Sequence, residues 1–125
     1  MQHLTDPAGF IERFYTQMTR DVLDGDDHTE VVDRYHAPDV LEIADGIEID
    51  REKLIAHMRP VTRNVTDFKV DVHEAIADDD RLAARYTLHA TSRGKEILTD
   101  VHFFGRFTSD GRLRRAHMLT SSRSA

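Results

Sequence analysis

The second half of the chain alternates between apolar and polar residues in four long runs. These runs lie within residues 67–120, and three short turn-forming stretches separate them: Asp78-Asp79-Asp80, Ser92-Arg93-Gly94-Lys95 and Ser109-Asp110-Gly111-Arg112. Alternation with a period of two is typical of half-buried strands, and short turns join neighbouring antiparallel strands. The pattern therefore predicts a four-stranded antiparallel meander with one apolar face.

The first half of the chain carries apolar residues at helical spacing. Phe14 and Met18 belong to an apolar stripe with a period of four, which predicts a first helix. This helix is expected to start at a Thr5 or Asp6 cap and to end near residues 24–25. An amphipathic helix of this kind has to bury its apolar stripe, and the apolar face of the sheet is the available partner.

Three more groups of residues complete the first half. The pattern predicts a helix over residues 29–35 that starts at a Thr29 cap, short strands over 40–44 and 47–49, and a helix over 51–59. Asp50 caps the last helix and Pro60 ends it, while Lys53 stands where a capping box prefers Glu. Helices that precede the strands, instead of alternating with them, indicate an α+β fold with the helices on one face of the sheet.

Pairing the strands from their turns assigns each residue to a face of the sheet. The inner face is predicted to hold apolar residues, among them Ile76 and Leu119, and three polar ones: Glu74, Tyr86 and His117. His102 and Phe104 are predicted on the outer face. Gly105 leaves a second register open, because a β-bulge there would turn His102 inward beside His117.

Composition excludes several classes of function. The 125 residues suffice for one domain, residues 1–125, with a single core, and without cysteine neither a disulfide nor a thiolate metal site can form. A formal charge of −6 argues against nucleic-acid binding, which needs a basic excess. No signal-peptide pattern and no long apolar run is present, so we expect a cytoplasmic protein that does not enter a membrane.

The remaining chemistry is acid–base catalysis in a cavity between helices and sheet. His117 is a candidate because imidazole is the usual proton carrier in proteins, and Glu42 lies on a strand face where burial would raise its pKa. Tyr15 and Tyr86 can donate hydrogen bonds to a carbonyl or enolate oxygen. No metal site is predicted, because no histidines form a helical i, i+4 pair and the strand histidines face outward. For each of the four candidates the alternative is a buried core residue without a chemical role.

Two further residues are assigned to substrate binding. Glu74 is one of the polar residues on the predicted inner face, and His102 joins it if the bulge at Gly105 exists. The outer face, with His102 and Phe104, is mixed in character. It is expected to be either solvent-exposed or buried against a second copy of the chain.

Four segments, in their order and spacing, carry a family resemblance: Phe14-Tyr15, Tyr35-His36-Ala37-Pro38-Asp39-Val40, Arg81-Leu82-Ala83-Ala84-Arg85-Tyr86-Thr87 and Phe107-Thr108-Ser109-Asp110-Gly111-Arg112-Leu113. Over residues 8–120 the chain resembles the SnoaL-like branch of the NTF2-like superfamily. The resemblance implies a cone-shaped α+β barrel, with three N-terminal helices packed on a curved antiparallel sheet, a pocket between them and a dimer through the outer sheet face. The superfamily includes cyclases, isomerases, epoxide hydrolases, dehydratases and non-catalytic proteins, so the fold does not determine the function.

The site residues of these families do not transfer intact. Ala44 stands where ketosteroid isomerase-like enzymes carry their general-base Asp, with Glu42 one inward step earlier. Their oxyanion-binding Tyr falls at Phe14, next to Tyr15. In SnoaL-type cyclases an acidic residue follows an aromatic one on the last strand, and here His117 takes the place of that aromatic residue.

Two functional hypotheses follow. The first is a cofactor-independent isomerase, cyclase, dehydratase or hydrolase that acts on an apolar, oxygenated small molecule, with His117 and Glu42 as the catalytic residues. The second is a non-catalytic ligand-binding or dimerisation module in which the same residues fill the cavity. A cavity below about 300 Å³ would leave little room for a substrate.

Overall fold

Three helices and six strands make up the described part of the chain, residues 2–125, with side chains from residue 4 onward, in a computed structural model. After a 3₁₀ turn at Gln2–Thr5, the elements in chain order are α1 (Pro7–Leu23), α2 (His28–Tyr35), β1 (His36–Ala44), β2 (Ile47–Asp50), α3 (Arg51–Asn64), β3 (Val65–Asp78), β4 (Arg81–Ser92), β5 (Lys95–Phe107) and β6 (Leu113–Ser124). The predicted order of helix, helix, short hairpin, helix and meander is confirmed. None of the described helices is long and apolar enough to cross a membrane.

Aspartate side chains begin the first two helices. The Asp6 carboxylate accepts a hydrogen bond from the backbone N–H of Gly9 at 3.2 Å, as the predicted cap requires. Helix α2 starts one residue earlier than predicted, because its cap is Asp27 and not Thr29. The Asp27 carboxylate accepts from the N–H of Glu30 at 3.1 Å, which satisfies one of the free donors at the helix start.

Helix α3 runs through Pro60, so the prediction that this proline ends the helix is wrong. The helix continues to Asn64, one turn beyond the proline. In that turn Val61 packs against the core cluster, and the Thr62 hydroxyl donates to the carbonyl of Met58 at 2.9 Å. These contacts offset the backbone hydrogen bond that proline cannot donate.

The six strands form one curved, unclosed sheet in the order β2-β1-β6-β5-β4-β3, with the helices on one face. Neighbouring strands are antiparallel except β1 and β6, which pair in parallel. Strand β1 begins four residues earlier than predicted, because His36 already pairs with Leu113. The architecture confirms the predicted α+β fold, with three N-terminal helices packed on a curved and largely antiparallel sheet.

Between β3 and β4, an extra residue changes the faces that the turn alone predicts. Val72 pairs with Tyr86 as expected, but Glu74 pairs with Arg85 because His73 is inserted in a bulge. The extra residue turns everything after it to the opposite face. The predictions that Glu74 and Ile76 face inward are therefore wrong, since both lie on the outer face.

A second bulge near the start of β6 overturns the prediction for His117. Phe107 pairs with Leu113 as expected, but the next pair is Arg106 with Arg115, so Arg114 is the extra residue. His117 consequently lies opposite Phe104, on the outer face, where its side chain is exposed. The same shift moves Leu119 outward.

Gly105 is paired regularly and forms no bulge. It lies between Leu82 and Ala116, and a Cβ atom at this position would lie 2.5 Å from the ring of Phe103. The glycine is thus needed for a close approach of an aromatic ring, not for a change of register. His102 accordingly stays on the outer face, and the alternative in which it joins a substrate site is wrong.

Candidate functional site

A cavity of about 500 Å³ lies between the helices and the inner face of the sheet. Helices α1 and α3 line one side of the cavity, and all six strands contribute residues to the rest of its wall. The volume exceeds the roughly 300 Å³ of the smallest ligand sites. The wall is mostly apolar, so the few polar side chains in it determine what the cavity can do.

Glu42 places a carboxyl group deep in this wall. It lies on β1 between Ile49 of β2 and Ala116 of β6, and only 8% of the residue is exposed. Burial removes the water that would stabilise the carboxylate and thereby raises the pKa of Glu42 to about 7. The group can therefore both accept and donate a proton near neutral pH.

His36 faces the same carboxyl group. Its Nδ1 lies 2.8 Å from the carbonyl oxygen of Val32, and because a carbonyl only accepts, Nδ1 carries a hydrogen and donates it. Its Nε2 lies 3.6 Å from Oε2 of Glu42. Burial lowers the pKa of His36, so the ring favours the neutral form, in which the Nε2 lone pair points towards Glu42.

The two residues form an acid–base pair whose neutral state holds a single exchangeable proton. Burial disfavours both the carboxylate of Glu42 and the imidazolium of His36. The favoured form is accordingly a protonated carboxyl group that faces a neutral imidazole nitrogen. A ligand in the cavity would meet this proton, or the carboxylate that remains once the proton has left.

Two tyrosines provide an oriented hydrogen-bond donor next to this pair. The Tyr86 hydroxyl donates to the Tyr15 hydroxyl at 2.8 Å, so the proton of Tyr15 remains for another acceptor. Burial raises the pKa of both tyrosines, and Glu42 raises both further when it is ionised. Both hydroxyls therefore stay protonated and act as donors across the physiological range.

The structure brings together three of the six residues proposed from the sequence. Glu42, Tyr15 and Tyr86 line the cavity, whereas the other three lie on the outer face of the sheet: His117, Glu74 and His102. Sequence reasoning missed His36 as a site residue. A register shift between His36 and Leu41 breaks the alternation from which its face would be inferred. The available signal was its place in segment 35–40, which carries the family resemblance.

The outer face holds a second, shallower depression with a volume of about 660 Å³. Exposed apolar side chains surround it, with Ile76 exposed by 73%, Phe104 by 57% and Leu119 by 62%. Polar residues lie among them, including the pair in which Arg85 donates to Glu74 at 2.7 Å. This outer patch, defined by Ile76, Phe104, Leu119, Glu74 and Arg85, is chemically distinct from the cavity. Within the described residues, no cluster of three or more His, Asp or Glu side chains could hold a metal ion.

Comparison with known proteins supports the assignment of the fold. The family model described as a SnoaL-like domain matches residues 11–116. No curated protein matches the sequence. A structure of an LEH-like epoxide hydrolase from M. tuberculosis superposes with a TM-score of 0.70 at 18% identity, over 94% of this chain and 84% of its own.

Two further structures show how widely this fold is used. IdmH from Streptomyces antibioticus, a candidate polyketide cyclase, has a TM-score of 0.62 at 16% identity, over 86% of this chain and 89% of its own. A de novo designed protein with a curved β-sheet has a TM-score of 0.61 at 19% identity, over 90% of this chain and 86% of its own. Similarity at this level establishes the fold and leaves the activity to the residues of the cavity.

Proposed function

Because the chain belongs to the SnoaL-like domain family, we propose that its cavity binds an apolar, oxygenated small molecule and catalyses a proton transfer without a cofactor. The observation that carries this proposal is the Glu42–His36 pair, with 3.6 Å between Oε2 and Nε2, in an apolar cavity beside Tyr15. A carboxyl group with a pKa of about 7 is matched to proton transfer at neutral pH. Burial of a carboxyl group costs free energy, and this cost favours a chemical role for Glu42 over a purely structural one.

The proposed reaction is the shift of a double bond next to a carbonyl group. Ionised Glu42 takes a proton from the carbon beside the carbonyl, and the electrons of the broken C–H bond form an enolate. Tyr15 donates a hydrogen bond to the enolate oxygen, and Tyr86 orients Tyr15. Glu42 then returns the proton to another carbon of the conjugated system. His36 acts as a positioning residue, since its ring is held by Val32 and faces the carboxyl group.

A related reaction uses the same groups with water as the second reactant. Protonated Glu42 donates its proton to the oxygen of an epoxide, whose C–O bond breaks as water attacks the ring carbon. The Glu42 carboxylate that results then takes up the proton that the attacking water releases, which restores the acid and leaves a diol. The similarity of the fold to the LEH-like epoxide hydrolase from M. tuberculosis motivates this version. Both versions require a proton carrier with a pKa near neutrality inside an apolar cavity.

The test compares Glu42→Gln with Glu48→Gln, which alters an exposed carboxylate on β2. Two probes are offered, a β,γ-unsaturated cyclic ketone followed by ultraviolet absorbance and a cyclic epoxide followed by chromatography. Loss of a general acid or base costs about 10²–10⁴-fold in rate, so we expect Glu42→Gln to lose at least about 100-fold and Glu48→Gln to match the wild type. For the ketone, kcat/KM should rise with pH through about 7, because the base must be ionised.

Two results would contradict the proposal. Equal rates for Glu42→Gln and the wild type would remove Glu42 from the reaction. If both probes bind in the cavity and neither is converted, the ligand-binding alternative is correct, in which the same residues hold a ligand without chemistry.

We also propose that the protein is a homodimer that associates through the outer patch. Three large apolar side chains of the patch are exposed by 57–73%, which is unusual for a surface that faces only water. Glu74 and Arg85 bring both signs of charge to the same patch. A second copy related by a two-fold axis could therefore satisfy both the apolar and the charged groups.

A further inference from the structure

Lys53 breaks a local rule of helix formation. It is the third residue of α3, where its backbone N–H donates to the carboxylate of the cap residue Asp50 at 3.0 Å. A Glu at this position would return a hydrogen bond to the cap and would suit the positive end of the helix dipole. A Lys does neither. Local rules that a sequence breaks without a structural gain tend to mark functional positions.

The position of Lys53 at the cavity explains why a Lys stands where the helix start favours a Glu. Lys53 and His57 are one turn apart on α3, both are exposed, and both line the cavity that holds Glu42. Because Glu42 and His36 are buried whereas Lys53 and His57 reach solvent, the two α3 residues mark the mouth of the cavity and the Glu42–His36 pair its deep end. The cavity therefore has a cationic mouth and a carboxyl group at depth.

The ammonium group of Lys53 has unused donors. Its Nζ donates to the backbone carbonyl of Glu48 at 3.1 Å, and within the described part of the chain no carboxylate lies within ion-pair distance of it. Its neighbour Arg51 contrasts with it, since the Arg51 guanidinium donates to Asp33 at 2.8 Å. An ammonium group has three donors, so two of those on Lys53 are available to a ligand.

From this arrangement we propose that the natural ligand is an amphipathic organic anion whose charged group binds Lys53 and His57 at the mouth. The proposal rests on the proposed function in one respect, namely that this cavity takes the substrate. The apolar body of the ligand fills the cavity between α1 and the sheet, and its neutral oxygen reaches Tyr15 and Glu42. The reverse orientation is disfavoured, because an anion at depth would lose its hydration and meet the Glu42 carboxyl group.

The experiment compares two ligands of nearly equal shape, 1-naphthylacetate and its neutral amide, by isothermal titration calorimetry near neutral pH. The wild type should bind the acid about fivefold more tightly than the amide, the size expected of one partly exposed charge pair. Lys53→Met should remove this difference and leave the affinity for the amide unchanged. Lys53→Arg should retain the difference, and Lys69→Met, on the exposed outer side of β3, should behave as the wild type.

A cavity-blocking variant locates the binding site. Ala44 lines the cavity, so Ala44→Phe should abolish the binding of both ligands. Equal affinity of the wild type for acid and amide, or a difference that persists in Lys53→Met, would overturn the anion proposal and leave the proposed catalysis standing. Binding of both ligands that survives Ala44→Phe would place the site elsewhere and overturn it too. If neither ligand binds the wild type, this inference and the proposed small-molecule function both fail.

Discussion

Burial, more than any neighbouring charge, determines the chemistry of Glu42. Loss of hydration is what raises its pKa from the ordinary 4.5 to about 7, and loss of hydration is also the main cause of the lowered pKa of His36. The two shifts have opposite directions because burial disfavours an anion in one case and a cation in the other. At the scale of single residues, burial in the cavity therefore favours a protonated Glu42 beside a neutral His36.

The raised pKa of Glu42 predicts a pH dependence of stability. In the folded state Glu42 holds its proton up to about pH 7, whereas the unfolded chain releases it near 4.5. The stabilisation is therefore fully present below about pH 4.5 and is lost as the pH rises to about 7, a change of about 3 kcal/mol. We expect Glu42→Gln to be more stable than the wild type at pH 8, measured by urea denaturation.

The difference in stability between the wild type and Glu42→Gln separates the contribution of Glu42 from that of His36. The stabilisation from neutral His36 runs in the opposite direction and is lost as the pH falls below its ordinary value of 6.5. At pH 8, above the ordinary pKa of 6.5, His36 is neutral in the folded and the unfolded chain of both proteins, so it contributes nothing to the difference there. A stability difference that stays constant between pH 5 and pH 8 would show that the Glu42 carboxyl group is not desolvated.

At the scale of the strands, two bulges decide which side chains can meet a ligand. One extra residue in β3 and one at the start of β6 turn Glu74 and His117 away from the cavity. Gly105 acts differently, since it is paired regularly and its missing side chain leaves room for the ring of Phe103, whose centre lies 6.2 Å from that of Phe107. The two bulges and the missing side chain of Gly105 thus decide which side chains occupy the inner face.

Gly105→Ala should destabilise the protein by about 1–3 kcal/mol, the usual cost of overpacking a core. The new Cβ would lie 2.5 Å from the buried ring of Phe103, which has to shift. Urea denaturation measures the loss. The double variant Gly105→Ala, Phe103→Leu should lose less than the sum of its two single changes, because the smaller side chain removes the clash. Additive losses would show that the ring does not need the glycine.

At the scale of the whole molecule, the sheet separates two surfaces of different chemical character. Its inner face and the helices enclose the cavity, while its outer face presents the apolar and charged residues of the outer patch. The parallel pairing of β1 with β6 joins the short hairpin to the meander and completes the wall beside Glu42. A dimer through the outer patch would leave the cavity mouth at Lys53 and His57 open, because α3 packs on the inner face.

The proposed dimer predicts the effect of one charge in the outer patch. Phe104→Glu should convert the protein from dimer to monomer in sedimentation equilibrium, because a buried, unpaired carboxylate is costly at an interface. Ile47→Glu is the matched control, since Ile47 is exposed by 65% on the edge strand β2, outside the outer patch. It should leave the dimer intact. A wild type that sediments as a monomer at all concentrations would refute the proposed interface.

The sequence by itself determined the elements and their order, because hydrophobic periodicity, caps and turn residues act over a few neighbouring positions. It also predicted that Glu42, Tyr15 and Tyr86 line the cavity, because their helix and strand positions follow from an unbroken local pattern. Only the tertiary structure decided the outward orientation of His117 and Glu74 and the contact between His36 and Glu42. Bulges at His73 and Arg114 and the parallel pairing of β1 with β6 depend on packing between distant segments, and a shift of one residue reverses a face.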